Sequence, residues 1–331
     1  MTGRLATLAA IVALVSACAL LPSNRAAAPD RAGNPLAGAR FYVDPNGHAP
    51  QQVRALQRSG AQHAADDLQP IARQPTAVWF TNQQADPEPA AATLTRHAAT
   101  TGRVPVLTVY NLPGRDCGQY SRGGAATPEQ YRAWLDRLAH GIQARRAVVV
   151  LEPDAIPHTL TRCPGAPPAQ QRYQLLAWAV STLRAQAPAA LVYLDAGNAS
   201  WITDLPALAH ALRLSNSQQA AGFALNVSNF HTTADSAAYG RRLSALLGGA
   251  HFVIDTSRNG NGPPPFASDH DNGHWCNPPG RALGAAPTSH TGLDQVDALL
   301  WVKQPGDSDG TCGGGPPAGT WWPALAHDLL H

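Results

Sequence analysis

The chain has 331 residues, of which 24 are lysine or arginine and 22 are aspartate or glutamate, and its formal net charge is +2. Charged residues make up only 14% of the sequence, so the composition excludes the strongly basic surface typical of nucleic-acid binding and gives no reason to expect an acidic partner. Beyond the first residues, no segment approaches the roughly 20 consecutive apolar residues of a membrane helix.

The amino terminus has the pattern of a secretory signal. Its apolar run, Leu5 to Ala17, is too short to span a membrane. Small residues then precede Cys18, as in the lipobox of a bacterial lipoprotein, so Cys18 either carries lipid or is lost when a peptidase cuts later, around residues 26–28. We therefore predict a signal peptide over residues 1–18 and a tether over residues 19–33. The mature protein is expected to be secreted or anchored at the cell surface by lipid.

The remaining chain, residues 34–331, is long enough for one large α/β domain and has no internal repeat. Its even number of cysteines, in an exported chain, predicts two disulfides in one of three pairings. The cysteines lack the spacing of a zinc site, and the pattern from His270 to His274 favours a polar loop, so we predict no metal and no cofactor. The four cysteines are Cys117, Cys163, Cys276 and Cys312.

Short runs rich in β-branched or apolar residues predict buried strands. The seven runs cover residues 76–80, 104–110, 147–151, 191–194, 222–225, 252–254 and 298–302. Helical patterns lie between several of them, including Pro128 to Gln143, where Thr127 and Gln130 resemble a capping box, and Gln170 to Gln186. Alternating strands and helices predict a parallel sheet, in either a barrel or a doubly wound fold.

Polar residues follow the predicted strands at their carboxyl ends. Ligands of α/β folds bind at this edge of the sheet, so these side chains are expected to converge on one cleft. Helix N-caps use some of the same residue types and account for one or two of them. The residues are Thr81, Asn82, Asn111, Glu152, Asp154, Asp195, Asn226, Asn229, Asp255 and Lys303.

Two aspartates lie where catalytic carboxyl groups would be needed. Hydrolysis of a glycosidic bond commonly uses one carboxylic acid to protonate the leaving oxygen and a second carboxylate that acts on water or on the sugar. Asp154 follows a fully apolar strand, where burial and neighbouring carboxylates should raise its pKa, as a general acid requires. Asp116 lies in the loop after the preceding strand, between Arg115 and Cys117.

Lys303 is the only lysine in a chain whose other basic residues, apart from histidine, are arginines. A lysine in such a composition indicates a place where a compact ammonium fits and a planar guanidinium does not, such as between sugar hydroxyls and a carboxylate. On composition alone, chance is an equal explanation.

Several short motifs lie in order along nearly all of the mature chain. They are Asn34 to Gly38, Phe41 to Pro45, Tyr110 to Gly118, Leu151 to Asp154, Tyr193 to Gly197, Asn226 to Phe230, Phe252 to Gly260, Trp275 to Gly284 and Trp301 to Gly310. Together they resemble glycoside hydrolase family 6, the inverting cellulases that include endoglucanases and cellobiohydrolases. The resemblance implies an α/β fold, a distorted (β/α) barrel of about seven parallel strands with the active-site cleft at their carboxyl ends.

The resemblance also implies roles for individual residues. Asp154 would be the general acid, Asp116 would keep it protonated and relay a proton through water, and Asp309 is a disputed candidate for the general base. Tyr110 would press on the sugar at the cleavage point, and Asp195 would lie near the same subsite. The implied disulfides join Cys117 to Cys163 and Cys276 to Cys312. Sugar-binding roles are expected for Tyr42, Tyr110, Asp195, Trp201, Asn226, Trp275, Lys303 and Asp307.

The chain departs from the family pattern at Asn198, where histidine is usual, and at Asp307, where glutamate is usual. We expect a binding or proton-accepting group to be lost at the first position and sugar contacts to be weaker at the second. Neither change affects Asp116 or Asp154. We therefore predict a monomeric enzyme that hydrolyses β-1,4-linked glucan endo-fashion with inversion. The alternatives are an exo-acting cellobiohydrolase and a surface lipoprotein that binds glucan but has lost most of its catalysis.

Overall fold

The computed structural model describes residues 1, 3, 33–161, 163, 166–265 and 275–331. Cys18, the His270 to His274 loop and nearly all of the predicted signal peptide and tether lie outside these residues. Within the described part of the chain, no helix is both long and apolar enough to cross a membrane.

The seven predicted strands are all present, with ends that differ by at most two residues from the predicted ones. They are β1 (Val78–Thr81), β2 (Val106–Tyr110), β3 (Ala147–Leu151), β4 (Ala190–Asp195), β5 (Gly222–Leu225), β6 (His251–Asp255) and β7 (Val296–Leu300). They form one sheet in chain order, and every neighbouring pair is parallel. All the carboxyl ends therefore lie at one edge of the sheet.

Most of the helices connect successive strands and pack on the outside of the sheet, whereas three helices precede β1 and one follows β7 in the part of the chain that the structure describes. In the described residues they are α1 (His48–Arg58), α2 (Gln62–Asp67), α3 (Gln69–Ala72), α4 (Glu88–Thr100), α5 (Pro128–Ile142), α6 (Pro157–Leu160), α7 (Ala169–Gln186), α8 (Leu205–Leu214), α9 (Thr233–Leu246) and α10 (Pro323–Asp328). The N-cap predicted for α5 is confirmed, because Thr127 accepts the backbone N–H of Gln130 at 3.2 Å. In a capping box the Gln130 side chain would accept the backbone N–H of Thr127. Here it accepts the backbone N–H of the preceding residue, Ala126, at 3.2 Å.

The sheet curls until its first and last strands meet. Thr76 and Trp301, at the entry to β1 and the exit from β7, form a parallel bridge, and the Ala77 N–H donates to the Trp301 carbonyl at 2.9 Å. The Trp79 indole N–H adds a bond to the Val302 carbonyl at 2.8 Å. A single bridge at this seam, in place of a continuous ladder, makes the barrel distorted, as predicted.

Alternate residues of each strand enter two different apolar clusters. Val149 and Leu151 of β3 pack outward against the helices, whereas Val148 and Val150 pack in the barrel interior. Both faces of the sheet are thus buried, which explains why the strands appear in the sequence as continuous apolar runs. Gly240 lets α9 lie close to β6, since a Cβ there would come within 2.3 Å of the Phe252 ring.

Two disulfides hold loops at the carboxyl edge of the sheet. Cys117, after β2, is bonded to Cys163, after α6, and their Cα atoms are 5.5 Å apart. Cys276 is bonded to Cys312, with a Cα separation of 6.1 Å. This is the pairing that the family resemblance implies.

Candidate active site

A cleft of about 1970 Å³ runs across the carboxyl ends of the strands. Loops that follow most of the strands contribute to its lining, so the topology alone brings together residues that are distant in sequence. Of the predicted site residues, it is lined by Tyr110, Asp116, Asp154, Asp195, Trp201, Trp275, Lys303, Asp307 and Asp309.

Asp154 lies just beyond β3 and is held by both neighbouring strands. Its Oδ2 accepts the phenolic hydrogen of Tyr110, from β2, at 2.9 Å. Its backbone N–H donates to Oδ2 of Asp195, from β4, at 2.9 Å. Tyr110 thus positions the carboxyl group of Asp154, and Asp195 positions its backbone.

The pKa of Asp154 suits proton donation. Burial raises it to about 6, although the hydroxyl of Tyr110 and the positive charge of Arg172 act in the opposite direction. Burial, followed by the charge of Asp154, also raises the pKa of Asp195 well above its usual value. Burial thus lets Asp154 retain its proton at a higher pH than a solvated aspartate does, and the charge of Asp154 in turn disfavours ionisation of Asp195.

Asp116 extends the same cluster from the loop after β2. Burial and the charge of Asp154 raise the pKa of Asp116 to about 7, although the Ser121 N–H and Arg115 lower it in part. The Ser121 N–H donates to Oδ2 of Asp116 at 2.6 Å, and the Arg115 guanidinium bonds the Tyr110 carbonyl at 2.6 Å. The loop is thereby fixed to the end of β2.

We expect Asp116→Asn to stabilise the protein at pH 8 far more than at pH 4. The pKa of Asp116 is about 7 when folded, against about 3.9 in an unfolded chain. The folded state therefore binds this proton more tightly, and the stability that it contributes is complete below about pH 4 and lost as the pH rises through about 7. The asparagine of the variant does not ionise. From pH 4 to pH 8, the free energy of unfolding of the variant relative to the wild type should therefore rise by roughly 2–4 kcal/mol.

Urea unfolding of the oxidised protein at both pH values would measure this gain. The exposed Asp294 provides the matched control, Asp294→Asn, for which we expect no such pH dependence. An equal effect of Asp116→Asn at pH 4 and pH 8 would contradict the raised pKa.

Asp309 has the opposite electrostatic environment. Its Oδ2 accepts from Arg258 Nη1 at 2.8 Å, its Oδ1 lies 2.9 Å from Lys303 Nζ, and the Asn277 N–H donates to Oδ2 at 3.0 Å. Burial raises the pKa of Asp309, but the charges of Arg258 and Lys303 outweigh burial and lower it to about 2. The ammonium of Lys303 therefore lies beside a carboxylate, as predicted. Asp309 is fully ionised at neutral pH.

The backbone at the cleft has unusual dihedral angles. Asp116 and Cys117 after β2, and Glu152 and Asp154 after β3, have φ values of 57°, 49°, 50° and 68°. Non-glycine residues seldom adopt this left-handed region, and such strain accumulates where surrounding contacts fix a functional geometry. The hydrogen bonds and the disulfide at Cys117 provide those contacts.

Several strand-end residues predicted to face the cleft instead hold its loops. Glu152 is 1% exposed, and its carboxylate accepts the N–H groups of Asn111 and Leu112 at 2.9–3.1 Å. The Oδ1 atom of Asp255 accepts the Val302 N–H at 3.2 Å and its Oδ2 accepts the Lys303 N–H at 3.0 Å. These carboxylates satisfy backbone donors at the ends of neighbouring strands, and that requirement turns them away from the cleft.

Asn226 also differs from the prediction that it binds sugar. It is fully buried, its amide nitrogen donates to the His231 and Asp255 carbonyls, and its amide oxygen accepts the His231 N–H. With both ends of the amide engaged by backbone, Asn226 shapes the loop after β5 and does not line the cleft.

The comparison with known proteins decides the family. The model of the family described as "Glycosyl hydrolases family 6" matches residues 36–331. The chain belongs to glycosyl hydrolases family 6. Among curated relatives, Endoglucanase A of Cellulomonas fimi is 45% identical over 293 residues, which cover 87% of this chain but only 60% of that protein. Endoglucanase 1 of Streptomyces halstedii is 38% identical, and the alignment covers 100% of this chain and 99% of that protein.

A solved family 6 structure has the same fold. The endoglucanase Cel6 from Mycobacterium tuberculosis, in complex with methyl-cellobiosyl-4-deoxy-4-thio-β-D-cellobioside, superposes with a TM-score of 0.81 at 43% identity. The superposition covers 90% of this chain and 98% of that one. The predicted family and barrel are therefore confirmed.

Aromatic side chains form walls of the family 6 cleft. Trp201 lies edge-on to the imidazole of His158, with ring centroids 5.1 Å apart, and Trp275 lies edge-on to Tyr120 at 6.0 Å. Tyr120 is 47% exposed and, like Trp79, lines the cleft without having been predicted. Tyr120 has no strand or helix pattern around it, and Trp79 is hidden in an apolar run, where the sequence indicates core packing.

Tyr42, predicted as a platform for sugar, does not line the cleft in the described residues. Its backbone N–H donates to the Val104 carbonyl at 2.9 Å, before the start of β2, and its side chain packs against the outer core.

The two departures from the family pattern have structural partners. Asn198 Oδ1 accepts the backbone N–H groups of Ser200 and Trp201 at 3.2 and 3.0 Å, so it fixes the turn that carries Trp201. Asp307 Oδ1 lies 2.7 Å from Nδ1 of His48, an imidazole that also lines the cleft. His48 has no family motif around it, and only the tertiary structure reveals it.

Proposed function

We propose that the chain hydrolyses β-1,4-linked glucan within the polymer, with inversion of configuration at the anomeric carbon. The observation that carries the proposal is the contrast between two carboxyl groups in one cleft. The pKa of Asp154 is raised to about 6, so this group retains its proton in mildly acidic solution, whereas the pKa of Asp309 is lowered to about 2, so this group is ionised there. Carboxyl groups with divergent pKa values are typical of glycosidases.

In this mechanism Asp154 donates its proton to the leaving glycosidic oxygen as the bond to the anomeric carbon breaks, and water attacks the opposite face of the sugar. Tyr110 holds the Asp154 carboxyl at 2.9 Å. Its raised pKa keeps the phenol protonated, so it donates throughout.

We propose Asp116, through water, as the acceptor of the proton from the attacking water. A group with a low pKa is a weak proton acceptor, and the pKa of Asp309 is held at about 2 by two cations. Asp116, with a pKa of about 7, is the stronger base in the form of the enzyme in which Asp116 is ionised and Asp154 keeps the one proton that the two groups hold between about pH 6 and pH 7. Asp309 then serves to hold Lys303 and the adjoining loop in place.

The size of the cleft supports a polymeric substrate. Its volume of about 1970 Å³ exceeds the roughly 300–1,000 Å³ of most small-molecule sites. The segment over residues 122–126 is tied to the end of β2, because the Ala125 N–H donates to the Asn111 carbonyl at 2.8 Å. This hydrogen bond holds the segment over residues 122–126 beside the end of β2. The relatives from Cellulomonas fimi and Streptomyces halstedii are named as endoglucanases.

We further propose that the protein acts outside the cytoplasm. The disulfides Cys117–Cys163 and Cys276–Cys312 suit an oxidising compartment, as does the signal-like run before Cys18. Whether Cys18 carries lipid is tested by mass spectrometry of the mature amino terminus.

Hydrolysis of cellohexaose, followed by proton NMR, tests the proposed reaction. We expect the α-anomer as the first-formed product, since inversion at a β-linkage gives that anomer. We also expect carboxymethylcellulose to lose viscosity before many reducing ends appear. A first-formed β-anomer would contradict inversion, and slow viscosity loss with mainly cellobiose would instead indicate exo action. Calorimetric binding of cellohexaose without any product would indicate a glucan-binding protein.

A further inference from the structure

His48 occupies a part of the cleft remote from the acid. It is the first residue of α1, and the turn before it, including Asp44 and Gly47, also lines the cleft. Its partner Asp307 belongs to the loop after β7, which meets β1 at the barrel seam. Asp154 follows β3, two strands further along the sheet.

The pair presents the imidazole, and not the carboxylate, to the cleft. The side chain of Asp307 is only 9% exposed, whereas that of His48 is 42% exposed. Asp307 therefore has little surface left for a ligand. The carboxylate accepts from Nδ1 of His48 at 2.7 Å, which leaves Nε2 as the polar atom of the ring without a hydrogen-bond partner in the described residues.

Asp307 is itself fixed by the backbone around it. Its N–H donates to the Gln304 carbonyl at 3.0 Å, and it forms an antiparallel bridge with Trp321. The Trp321 ring also lies beside the His48 ring, with centroids 6.4 Å apart. An imidazole held in this way loses little conformational entropy when it binds a ligand.

We propose that His48, oriented by Asp307, is a sugar-binding residue at the β1–β7 end of the cleft, where its Nε2 hydrogen-bonds a hydroxyl group of the glucan. The proposal rests on the proposed function and adds a specificity residue to it. With its Nδ1 hydrogen directed to a carboxylate, the neutral ring has an acceptor at Nε2, and the protonated ring has a donor there. Both forms are able to bond a hydroxyl, and the indole of Trp79 on β1 lines the same end of the cleft.

The length of the oligosaccharide provides the first test. Only chains long enough to reach from Asp154 to the β1–β7 seam can contact His48, so we expect His48→Ala to lower kcat/KM for cellohexaose by about 5- to 20-fold. We expect the loss for cellotriose to be less than about 2-fold. His48→Gln, which retains polar atoms, should recover part of the loss.

The matched control is a second histidine–aspartate pair outside the cleft. His63 Nδ1 lies 3.2 Å from Asp67 Oδ2 in α2, and the His63 side chain is 93% exposed. His63→Ala should leave kcat/KM unchanged for every chain length. Equal losses for cellotriose and cellohexaose in His48→Ala, or no loss for either, would overturn the proposal.

A double-mutant cycle tests whether Asp307 acts through His48. Asp307→Asn should weaken hydrolysis of cellohexaose in the wild-type background and have no further effect in the His48→Ala background. Additive losses would show that Asp307 contacts the sugar itself and would overturn the assignment. If the wild type hydrolyses no glucan, the proposed function fails, and calorimetric binding of cellohexaose to the same variants still tests His48.

Discussion

Asp154→Ala should lower kcat for cellotetraose by roughly 10²- to 10⁴-fold, the usual contribution of a general acid. The structure gives the physical reason, because the proton on this raised-pKa carboxyl is the one proposed to reach the leaving oxygen. A substrate whose leaving group departs without protonation does not need the proton of Asp154. We therefore expect 2,4-dinitrophenyl β-cellobioside to lose far less activity than cellotetraose in the same variant.

The pH profile separates a lost proton donor from a damaged cleft. Wild-type kcat/KM for cellotetraose should fall as the pH rises above about 7, where Asp154 and Asp116 no longer hold a proton between them. Asp154→Ala should lack this fall for the dinitrophenyl substrate. The exposed Asp294 offers a control, since Asp294→Ala should retain both the rate and the profile of the wild type. Equal losses for the two substrates in Asp154→Ala would remove Asp154 as the acid.

The strands are predictable because each is an apolar run that ends at a polar residue, and the late predicted start of β7 has a clear cause. β7 was predicted from residue 298 but begins at Val296, since Asp297 lies inside the strand. Asp297 is fully buried and accepts from the Tyr193 hydroxyl at 2.8 Å, and its Oδ1 lies 2.6 Å from His251 Nδ1. A buried, hydrogen-bonded carboxylate looks like a strand terminator in sequence.

The candidate site was predictable in its residue types but not in their orientation. Asp154 and Glu152 are two residues apart and equally polar, yet one lines the cleft and the other holds the backbone of the β2 loop. The difference depends on which unpaired N–H groups the neighbouring strand presents, and only the assembled sheet determines that. The prediction that the Asn226 amide binds sugar was wrong for the same reason, because the backbone groups that it bonds come together only in the folded chain.

Pairs that are distant in sequence were the hardest to predict. His48 and Asp307 are 259 residues apart, and Arg172 donates to the carbonyls of Ala155 and Gly114, on two different loops of the site. No local pattern distinguishes such side chains from solvent-exposed ones. Their roles follow from burial and contacts, which the chain acquires only on folding.

Arg258 is the member of this group with the largest expected effect on stability. It is 1% exposed, its Nη1 donates to Asp309 at 2.8 Å, and its Nη2 donates to the Ser228 carbonyl at 2.6 Å. Its guanidinium also lies 4.6 Å from the centre of the Phe230 ring. Arg258→Met would retain much of the volume but leave the Asp309 carboxylate buried with only Lys303 to neutralise it.

We expect Arg258→Met to lower the free energy of unfolding by about 3–5 kcal/mol at pH 7, as is usual when one partner of a buried ion pair is removed. Arg258→Lys, which retains the charge, should lose less. The pKa of Asp309 is lowered to about 2 in the folded protein, so the stability that it contributes is present above its unfolded pKa of about 3.9 and is lost as the pH falls toward about 2. The cost of Arg258→Met, measured by urea unfolding, should therefore shrink between pH 7 and pH 3. A cost independent of pH would mean that the arginine stabilises the loop by packing and by its bond to Ser228, and not through the charge of Asp309.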